Sequence, residues 1–418
     1  MMVYRSRSSK TTTWVVLTVW IIGIVFPLLV AGCGGSPSQG QENQQAPPQP
    51  PPQTQTPAMG NETTRPEPVV SVAFSERPRQ TAPGVAPATL DALVAGNTAF
   101  AFDLYQVLRQ QDGNLFYSPY SISAALAMTY AGARGPTANQ METTLHFSLP
   151  AEQVHAAFNA LDLSLTSSNG NGSSAEDDQE PPTLPPEGST TGQEEAGGGE
   201  FQLHTANSLW GQHGHPFLPA FLDLLSQHYG AGLRLVDFQQ QPEAARLAIN
   251  EWVSEQTQAK IEQLIPEGAI DRMTRLVLAN AIYFKADWEH PFEAEDTYED
   301  SFFLLNDETV MVDMMTQQEE LRYAEGEGYQ MVGLPYTGDA ELVAFVPEKG
   351  RFGEVEARLN GALVQQATEN LVPRQVDLTI PKFRFALSSK LKPLLAELGM
   401  TEAFSPEADF RGWTAAGG

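Results

Sequence analysis

The stretch Leu-Val-Leu-Ala-Asn-Ala-Ile-Tyr-Phe-Lys-Ala-Asp-Trp-Glu-His-Pro-Phe, residues 276–292, decides the fold of this chain. Its first nine residues, 276–284, form a nearly continuous apolar and β-branched run. Successive side chains of a strand point to opposite faces, so a run without polar alternation suits a strand that is covered on both sides. The stretch therefore predicts a central strand with other layers packed above and below it.

A buried helix is predicted upstream, where residues 114–126 read as a strand-like entry followed by a helix. Ser118 suits the N-cap, because its hydroxyl can accept a hydrogen bond from a free amide of the first turn, where Ser121 also lies. Pro119 suits the first helical position, where a missing N–H costs nothing. Residues 122–131 are apolar nearly all round, which indicates a helix buried on every side.

The remaining apolar patterns predict both helices and strands. The predicted helices cover residues 90–110, 243–265 and 391–398, and the predicted strands cover residues 203–210, 330–336, 341–347 and 376–385. Long strands with few strand–helix–strand units favour an α+β fold, in which helices pack around large mixed or antiparallel sheets.

Five segments in order resemble the serpins, a family of serine protease inhibitors. They are 114–126 (NLFYSPYSISAAL), the helix positions Ile249, Asn250, Trp252, Val253, Thr257, Lys260 and Ile261, the stretch 280–292, Leu334-Pro335-Tyr336, and Ile380–Phe383 with 398–400, 403–404 and 408–410 downstream. The resemblance covers about residues 88–418. It implies the serpin fold, in which a cleaved reactive loop inserts into an opened sheet and traps the attacking protease.

The resemblance also implies site residues. Ser118, Ser121 and Asn250 match the shutter, a polar cluster expected beneath the strand 276–284 that exchanges hydrogen-bond partners when the sheet opens. Trp288 matches the breach, where the loop first enters. Without the resemblance, the two serines read as helix-start residues, Asn250 as a surface helix position, and Trp288 as an ordinary core aromatic.

The family pattern continues beyond Ala408-Asp409-Phe410 with a hinge, the reactive loop and closing strands, none of which occurs before Gly418. We therefore expect a C-terminally truncated serpin domain without a reactive centre, and an inactive chain. The intact protein is expected to inhibit extracellular serine proteases, or cysteine proteases. The alternative is a non-inhibitory serpin-fold binding or scaffold protein on the cell surface.

The N-terminus predicts export. Arg5, Arg7 and Lys10 precede an apolar run, 14–29, and Val30-Ala31-Gly32-Cys33 resembles a lipoprotein cleavage site. Residues 1–32 are thus expected to be a signal peptide and Cys33 the lipid anchor, since an acylated cysteine binds the membrane through its buried methylenes. The alternative is an uncleaved transmembrane helix over residues 14–32. Both place the protein outside the cytoplasm, at the cell surface.

Two stretches are predicted to be disordered, because their composition cannot bury enough apolar surface. Residues 33–87 are rich in Pro, Gln, Ser and Thr and read as a tether. Residues 167–200 are rich in Gly, Ser, Glu and Pro and read as an insertion within one domain, 88–418.

Composition excludes several functions. With 51 acidic and 24 basic residues the net charge is −27, which argues against nucleic-acid binding. The single cysteine excludes an internal disulfide. No enzyme motif is present, and His213 with His215 lacks a third ligand nearby, so we expect no catalytic activity, cofactor or metal. The expected partners of this monomer are a target protease and the membrane.

Overall fold

The computed structural model describes residues 2–5, 14–17, 24–29, 70–167 and 202–414, apart from 74, 112, 258, 260, 307, 338–339 and 384–390. Two sheets, one of five strands and one of seven, form the framework, and helices pack around them. This is the α+β architecture that the sequence predicts.

The α-helices of the described residues are α1 (Pro87–Leu108), α2 (Pro119–Tyr130), α3 (Gly135–Thr144), α4 (Ala151–Ser167), α5 (Pro219–Tyr229), α6 (Pro242–Gln256), α7 (Phe352–Arg358), α8 (Gly361–Glu369) and α9 (Leu391–Glu397). The strands are β1 (Met2–Arg5), β2 (Trp14–Leu17), β3 (Ile24–Leu29), β4 (Ser71–Ala73), β5 (Gln202–Gln212), β6 (Leu233–Val236), β7 (Thr274–Lys285), β8 (Thr297–Phe303), β9 (Thr309–Gly326), β10 (Tyr329–Pro335), β11 (Ala340–Pro347) and β12 (Val372–Pro381).

The five-stranded sheet has the order β3-β7-β5-β6-β4. β7 and β5 are antiparallel along nearly their whole length, whereas β5 and β6 are parallel. The other edge of β7 pairs with β3 only from Thr274 to Asn280. Among the described strands, residues 281–285 of β7 therefore have no neighbour on that edge.

The seven-stranded sheet is antiparallel and is organised by the long strand β9, which pairs with β8, β10 and β12. β11 follows β10, and β1 and β2 continue the sheet beyond β11. Residues Leu321, Val332, Leu334 and Leu378 form a small buried cluster on this sheet.

The strand β7 is covered on both faces, as its sequence predicts. Leu276 and Leu278 pack into the main core together with α2. Val277 and Ala279 pack into a second core together with α6. Alternation along the strand thus sends one apolar set towards each layer, with α2 and α6 on opposite faces of the sheet.

The helix predicted over residues 243–265 is shorter than expected, because α6 ends at Gln256. Thr257 follows and its hydroxyl donates to the carbonyl of Val253, while Ala259 has a positive φ of 57° that no α-helix contains. The chain then folds back so that Ile265 reaches Asn250 on the helix.

A segment ahead of α1, residues 70–85, is called the N-terminal arm here. β4 lies in it and pairs antiparallel with β6, so the arm adds the last strand to the five-stranded sheet. Further along the arm, the Gln80 amide donates to the carbonyl of Gln227 in α5 (2.9 Å). The arm thus covers an edge strand that would otherwise expose unpaired backbone groups.

The first 32 residues contain the strands β1, β2 and β3, in the segment predicted to be a signal peptide. The apolar run at 14–29 is described only as Trp14–Leu17 and Ile24–Leu29, both of them strands. Within the described residues, none of the helices has the length and apolar character needed to cross a membrane. The signal peptide stays a prediction, and its cleavage point before Cys33 lies outside the described residues.

Candidate functional site

The start of α2 lies beneath the five-stranded sheet and has the predicted geometry. The amide of Ser121 donates to the Oγ atom of Ser118 (3.2 Å), and Pro119 occupies the first helical position. Ser118 and Ser121 retain only 3% and 1% of their surface. The strand-like entry and the capping hydroxyl together fix where the helix begins, and hence which of its residues face the sheet.

Buried hydroxyls on α2 lack partners. The Oγ atoms of Ser121 and Ser123 and the Oγ1 atom of Thr129 have no hydrogen-bond partner among the described residues. A buried polar group left in this condition costs about 1–3 kcal/mol, so native proteins keep few of them. A helix with three such groups has spare hydrogen-bonding capacity on its buried surface.

Asn250 does not join Ser118 and Ser121, which corrects the predicted three-residue cluster. It is buried on α6, where its Nδ2 donates to the carbonyl of Ile265 (3.0 Å) and its Oδ1 accepts from the amide of Ile265 (2.7 Å). Because α6 covers the face of the sheet opposite α2, the sheet separates Asn250 from the two serines. Its amide fastens the segment after α6 to that helix.

Sequence reasoning overlooked Asn207 in β5, which lies beside Asn280 of β7 in the strand register. Asn207 and Leu209 alternate with Ser208 and Trp210, and Leu209 belongs to the core that contains α2 while Trp210 belongs to the core that contains α6. Asn207 therefore lies on the α2 side of the sheet. The alternating pattern of β5 could have shown which face of the sheet Asn207 occupies, once one residue of the strand had been assigned to a face.

Trp288 lies just beyond the end of β7, where the chain passes from one sheet to the other. Its ring stacks on Tyr336 with centroids 4.2 Å apart, and it forms an isolated β-bridge with the same residue. Phe292 and Phe284 make edge contacts with Trp288 and Tyr336, respectively. Burial raises the pKa of the Tyr336 phenol well above its usual range. Trp288 thus belongs to an aromatic cluster beside the end of β7, where one edge of the strand has no neighbour in the described part of the chain.

His213 and His215, the pair for which the sequence offers no third metal ligand, differ in their surroundings. His213 is exposed, and the ring of His215 packs against Phe217 with centroids 5.1 Å apart. Within the described residues, no group of three His, Cys, Asp or Glu side chains could hold a metal ion. Cys33, the predicted lipid anchor, lies outside the described residues.

The geometry defines an α+β protein with two large sheets, one of which is covered by helices on both faces. Residues 95–417 match the family described as serpin (serine protease inhibitor). The chain therefore belongs to the serpin family. The family assignment made from the five sequence segments is confirmed.

Relatives agree with this assignment. The chain is 36% identical over 307 residues to an uncharacterized serpin-like protein of Thermococcus kodakarensis, which covers 73% of this chain and 65% of the relative. It is 35% identical over 334 residues to the leukocyte elastase inhibitor of Xenopus laevis, covering 77% of this chain and 81% of the relative. The leukocyte elastase inhibitor of Homo sapiens is 34% identical over 340 residues, covering 78% and 82%.

A solved structure, ovalbumin from emu (Dromaius novaehollandiae), is similar with a TM-score of 0.67 and 28% identity. The match covers 78% of this chain and 82% of ovalbumin. The N-terminal arm begins before the family match, which starts at residue 95. The extra strand β4 thus lies outside the region that defines the family.

Proposed function

We propose that this protein serves as a serpin-type inhibitor of serine proteases outside the cytoplasm, acting by insertion of a cleaved loop into the five-stranded sheet. The single observation that carries the proposal is the edge of β7 at residues 281–285, just ahead of Trp288, which has no neighbour among the strands that the structure describes. A strand added there gains a ladder of backbone hydrogen bonds. The leukocyte elastase inhibitors among the relatives support inhibition as the role.

In the proposed reaction, the serine Oγ of the target protease attacks a carbonyl carbon of the reactive loop. The peptide bond breaks, its nitrogen leaves as an amine with the proton taken up from the serine, and an ester joins the loop to the protease. Loop insertion then moves the protease before water cleaves the ester. The free energy for this movement comes from the strand added beside β7.

The hydroxyls of α2 have a role in this proposal. When the sheet parts, the strands above α2 shift, and polar groups beneath them must find new partners. The Oγ atom of Ser121 has no hydrogen-bond partner among the described residues. It can therefore bond a new partner in the loop-inserted state without breaking an existing hydrogen bond. Trp288 and Tyr336 must separate or slide at the point of entry. Asn250 is assigned no part in this exchange, because it bonds Ile265 on the other face.

We further propose that Cys33 carries a lipid that holds the protein at the cell surface. Cleavage before Cys33 would remove β3 with the rest of residues 1–32 and free the whole edge of β7. The test is incorporation of radiolabelled palmitate, which we expect for the native protein and not for Cys33→Ser. Equal labelling of the two would contradict the anchor while leaving the inhibitory function untouched.

The inhibitory function is tested by incubating the protein with trypsin-like, subtilisin-like and elastase-like proteases and analysing the products by SDS gel electrophoresis. The protein is expected to form an SDS-resistant complex that hydroxylamine cleaves, since the link is an ester.

A non-inhibitory binding or scaffold role is the second outcome of the same experiment. Cleavage of the native product without a complex, by every protease tested, would overturn the inhibitor proposal and favour this role. The variant Trp288→Ala tests the role of the aromatic cluster in loop insertion. We expect more substrate-like cleavage per complex formed, because the aromatic cluster at the point of entry is lost.

A further inference from the structure

A cavity of about 470 Å³ lies at the beginning of β6 and is lined by residues from both faces of the five-stranded sheet. Tyr120 and Phe158 line it from the α2 and α4 side, and Trp252 and Gln256 line it from α6. The glycine-containing turn 230–232 also contributes to the lining. The volume falls within the range of about 300–1,000 Å³ that is typical of small-molecule sites.

A guanidinium without an ionic partner lies in this cavity. Arg234 of β6 forms no side-chain hydrogen bond or ion pair with any residue in the described part of the chain. Its Cζ atom lies 5.5 Å from the ring centroid of Trp210 and 5.4 Å from that of Trp252, so the cation rests on two indoles. These contacts with the indole rings stabilise the charge without using the N–H groups of Arg234 as hydrogen-bond donors, so these donors can bind an anion.

The other charges that line the cavity are already paired. Arg79 of the arm donates to Asp162 (2.7 Å) and to Asn159 (2.9 Å), and Asp162 also accepts from the Tyr120 hydroxyl (3.1 Å). Burial lowers the pKa of His228, which therefore adds no charge at neutral pH. The lining thus carries one net positive charge, that of Arg234, in a protein whose overall net charge is −27.

The carboxylate of Glu255 does not neutralise this charge. Glu255 is exposed at the end of α6 and acts on Arg234 through the electrostatic field without forming an ion pair. A cation that is half-buried, stacked and unpaired in an acidic protein is costly to keep, since burial penalises its charged form. Binding an anion would offset that cost.

We propose that this cavity binds a small organic anion, a carboxylate attached to a flat apolar or aromatic body. The carboxylate would accept two hydrogen bonds from Arg234, because the guanidinium fork matches carboxylate geometry. The apolar body would lie against Trp252, and the side chains of Asn207 and Gln256 would meet polar substituents. The site is independent of the inhibitory function proposed above.

The test uses 1-naphthoate as the probe and the neutral 1-naphthamide as its isostere, added to the full chain. Binding is followed by isothermal titration and by quenching of tryptophan fluorescence, since Trp210 and Trp252 both touch Arg234. We expect 1-naphthoate to bind saturably, and about tenfold more weakly to Arg234→Gln, because a charge-assisted pair contributes at least that much affinity. The exposed Arg374→Gln, which removes the same charge elsewhere, should bind like the wild type.

A second measurement does not depend on the folding of a variant. In the wild-type protein, 1-naphthoate should protect Arg234 from modification by phenylglyoxal, mapped by mass spectrometry, while Arg374 should stay reactive. Three results would each overturn the proposal: no saturable binding, equal affinity for 1-naphthoate and 1-naphthamide, or no protection of Arg234. Equal binding to Arg234→Gln with retained circular dichroism would place the anion elsewhere and overturn it as well.

Discussion

Arg79 and Asp162 form a half-buried ion pair, 2.7 Å long, that ties the N-terminal arm to α4. The same guanidinium donates to Asn159, a fully buried residue whose own amide donates to the carbonyl of Gln80 in the arm (2.7 Å). These bonds hold the arm against the five-stranded sheet, with β4 paired to its edge strand β6. The arm is therefore fixed by polar contacts rather than by a large apolar surface.

Replacing Arg79 with Gln should lower the free energy of unfolding by about 1.5–3 kcal/mol, because it breaks hydrogen bonds to buried and charged groups. The matched control is Arg77→Gln. Arg77 also pairs with an aspartate, Asp223, but its side chain is 61% exposed, so its loss should cost less than about 1 kcal/mol. Urea unfolding measures both. Equal losses would mean that the arm does not depend on Arg79.

Gly132 is expected to tolerate no side chain. A Cβ atom there would overlap the indole of Trp413, which is stacked on Phe410 with centroids 4.0 Å apart and donates to the carbonyl of Thr129. Gly132→Ala should therefore destabilise the protein by about 1–3 kcal/mol through overpacking.

The matched control for Gly132 is Gly353 in α7, where an added Cβ atom meets no atom within 4 Å. Gly353→Ala should stabilise the protein by about 0.4–1 kcal/mol, because alanine restricts the unfolded chain and suits a helix. The midpoints of thermal unfolding of the two variants should thus move in opposite directions. An unchanged or raised midpoint in Gly132→Ala would disprove the assigned packing of Trp413.

A double-mutant cycle tests the separation of Ser118 from Asn250. Ser118→Ala should cost about 1 kcal/mol, since it removes the cap of α2. Asn250→Ala should cost about 2 kcal/mol, because it leaves the buried amide of Ile265 unpaired, whereas the Ile265 carbonyl keeps the hydrogen bond from Arg246 (2.8 Å). The two residues lie on opposite faces of the sheet and share no partner, so the costs should add within about 0.5 kcal/mol. A coupling free energy above about 1 kcal/mol between the two substitutions would mean that Ser118 and Asn250 interact, as the predicted three-residue cluster requires.

The buried histidine His155 should make stability depend on pH. Its Nδ1 atom lies 2.8 Å from the Tyr229 hydroxyl, and burial, with a smaller effect of His228, lowers its pKa to about 3. The unfolded chain binds a proton near pH 6.5 whereas the folded chain does not. The contribution of His155 to the free energy of unfolding is therefore fully present above about pH 6.5 and declines as the pH falls towards 3.

We expect the urea midpoint to fall between pH 7 and pH 5, and to fall less in His155→Gln, which has no proton to gain. The control variant is His213→Gln, which changes an exposed histidine and should retain the wild-type dependence. A wild-type slope that survives in His155→Gln would assign the pH dependence to another group.

Local sequence patterns were sufficient for part of this fold. The start of α2 was predicted to the residue, because Ser118 and Pro119 act on the backbone next to them. The burial of β7 on both faces was also predicted, since an apolar run carries that information within itself. The helix α6 was predicted nine residues too long, because a pattern of apolar positions continued past the turn at Ala259.

Other features depend on tertiary structure. Ser118 and Asn250 are separated because α2 and α6 cover opposite faces of the sheet. No pattern within either helix encodes the face of the sheet on which that helix packs. The strand β4 and the cavity around Arg234 likewise required distant segments to meet, the arm with β6 and β6 with α6. The sequence by itself determined the family, the central strand and the cap of α2, because these depend on neighbouring residues. Only the tertiary structure decided which polar groups share a face of the sheet and that Arg234 has no ionic partner among the described residues, because such contacts arise between residues far apart in the chain.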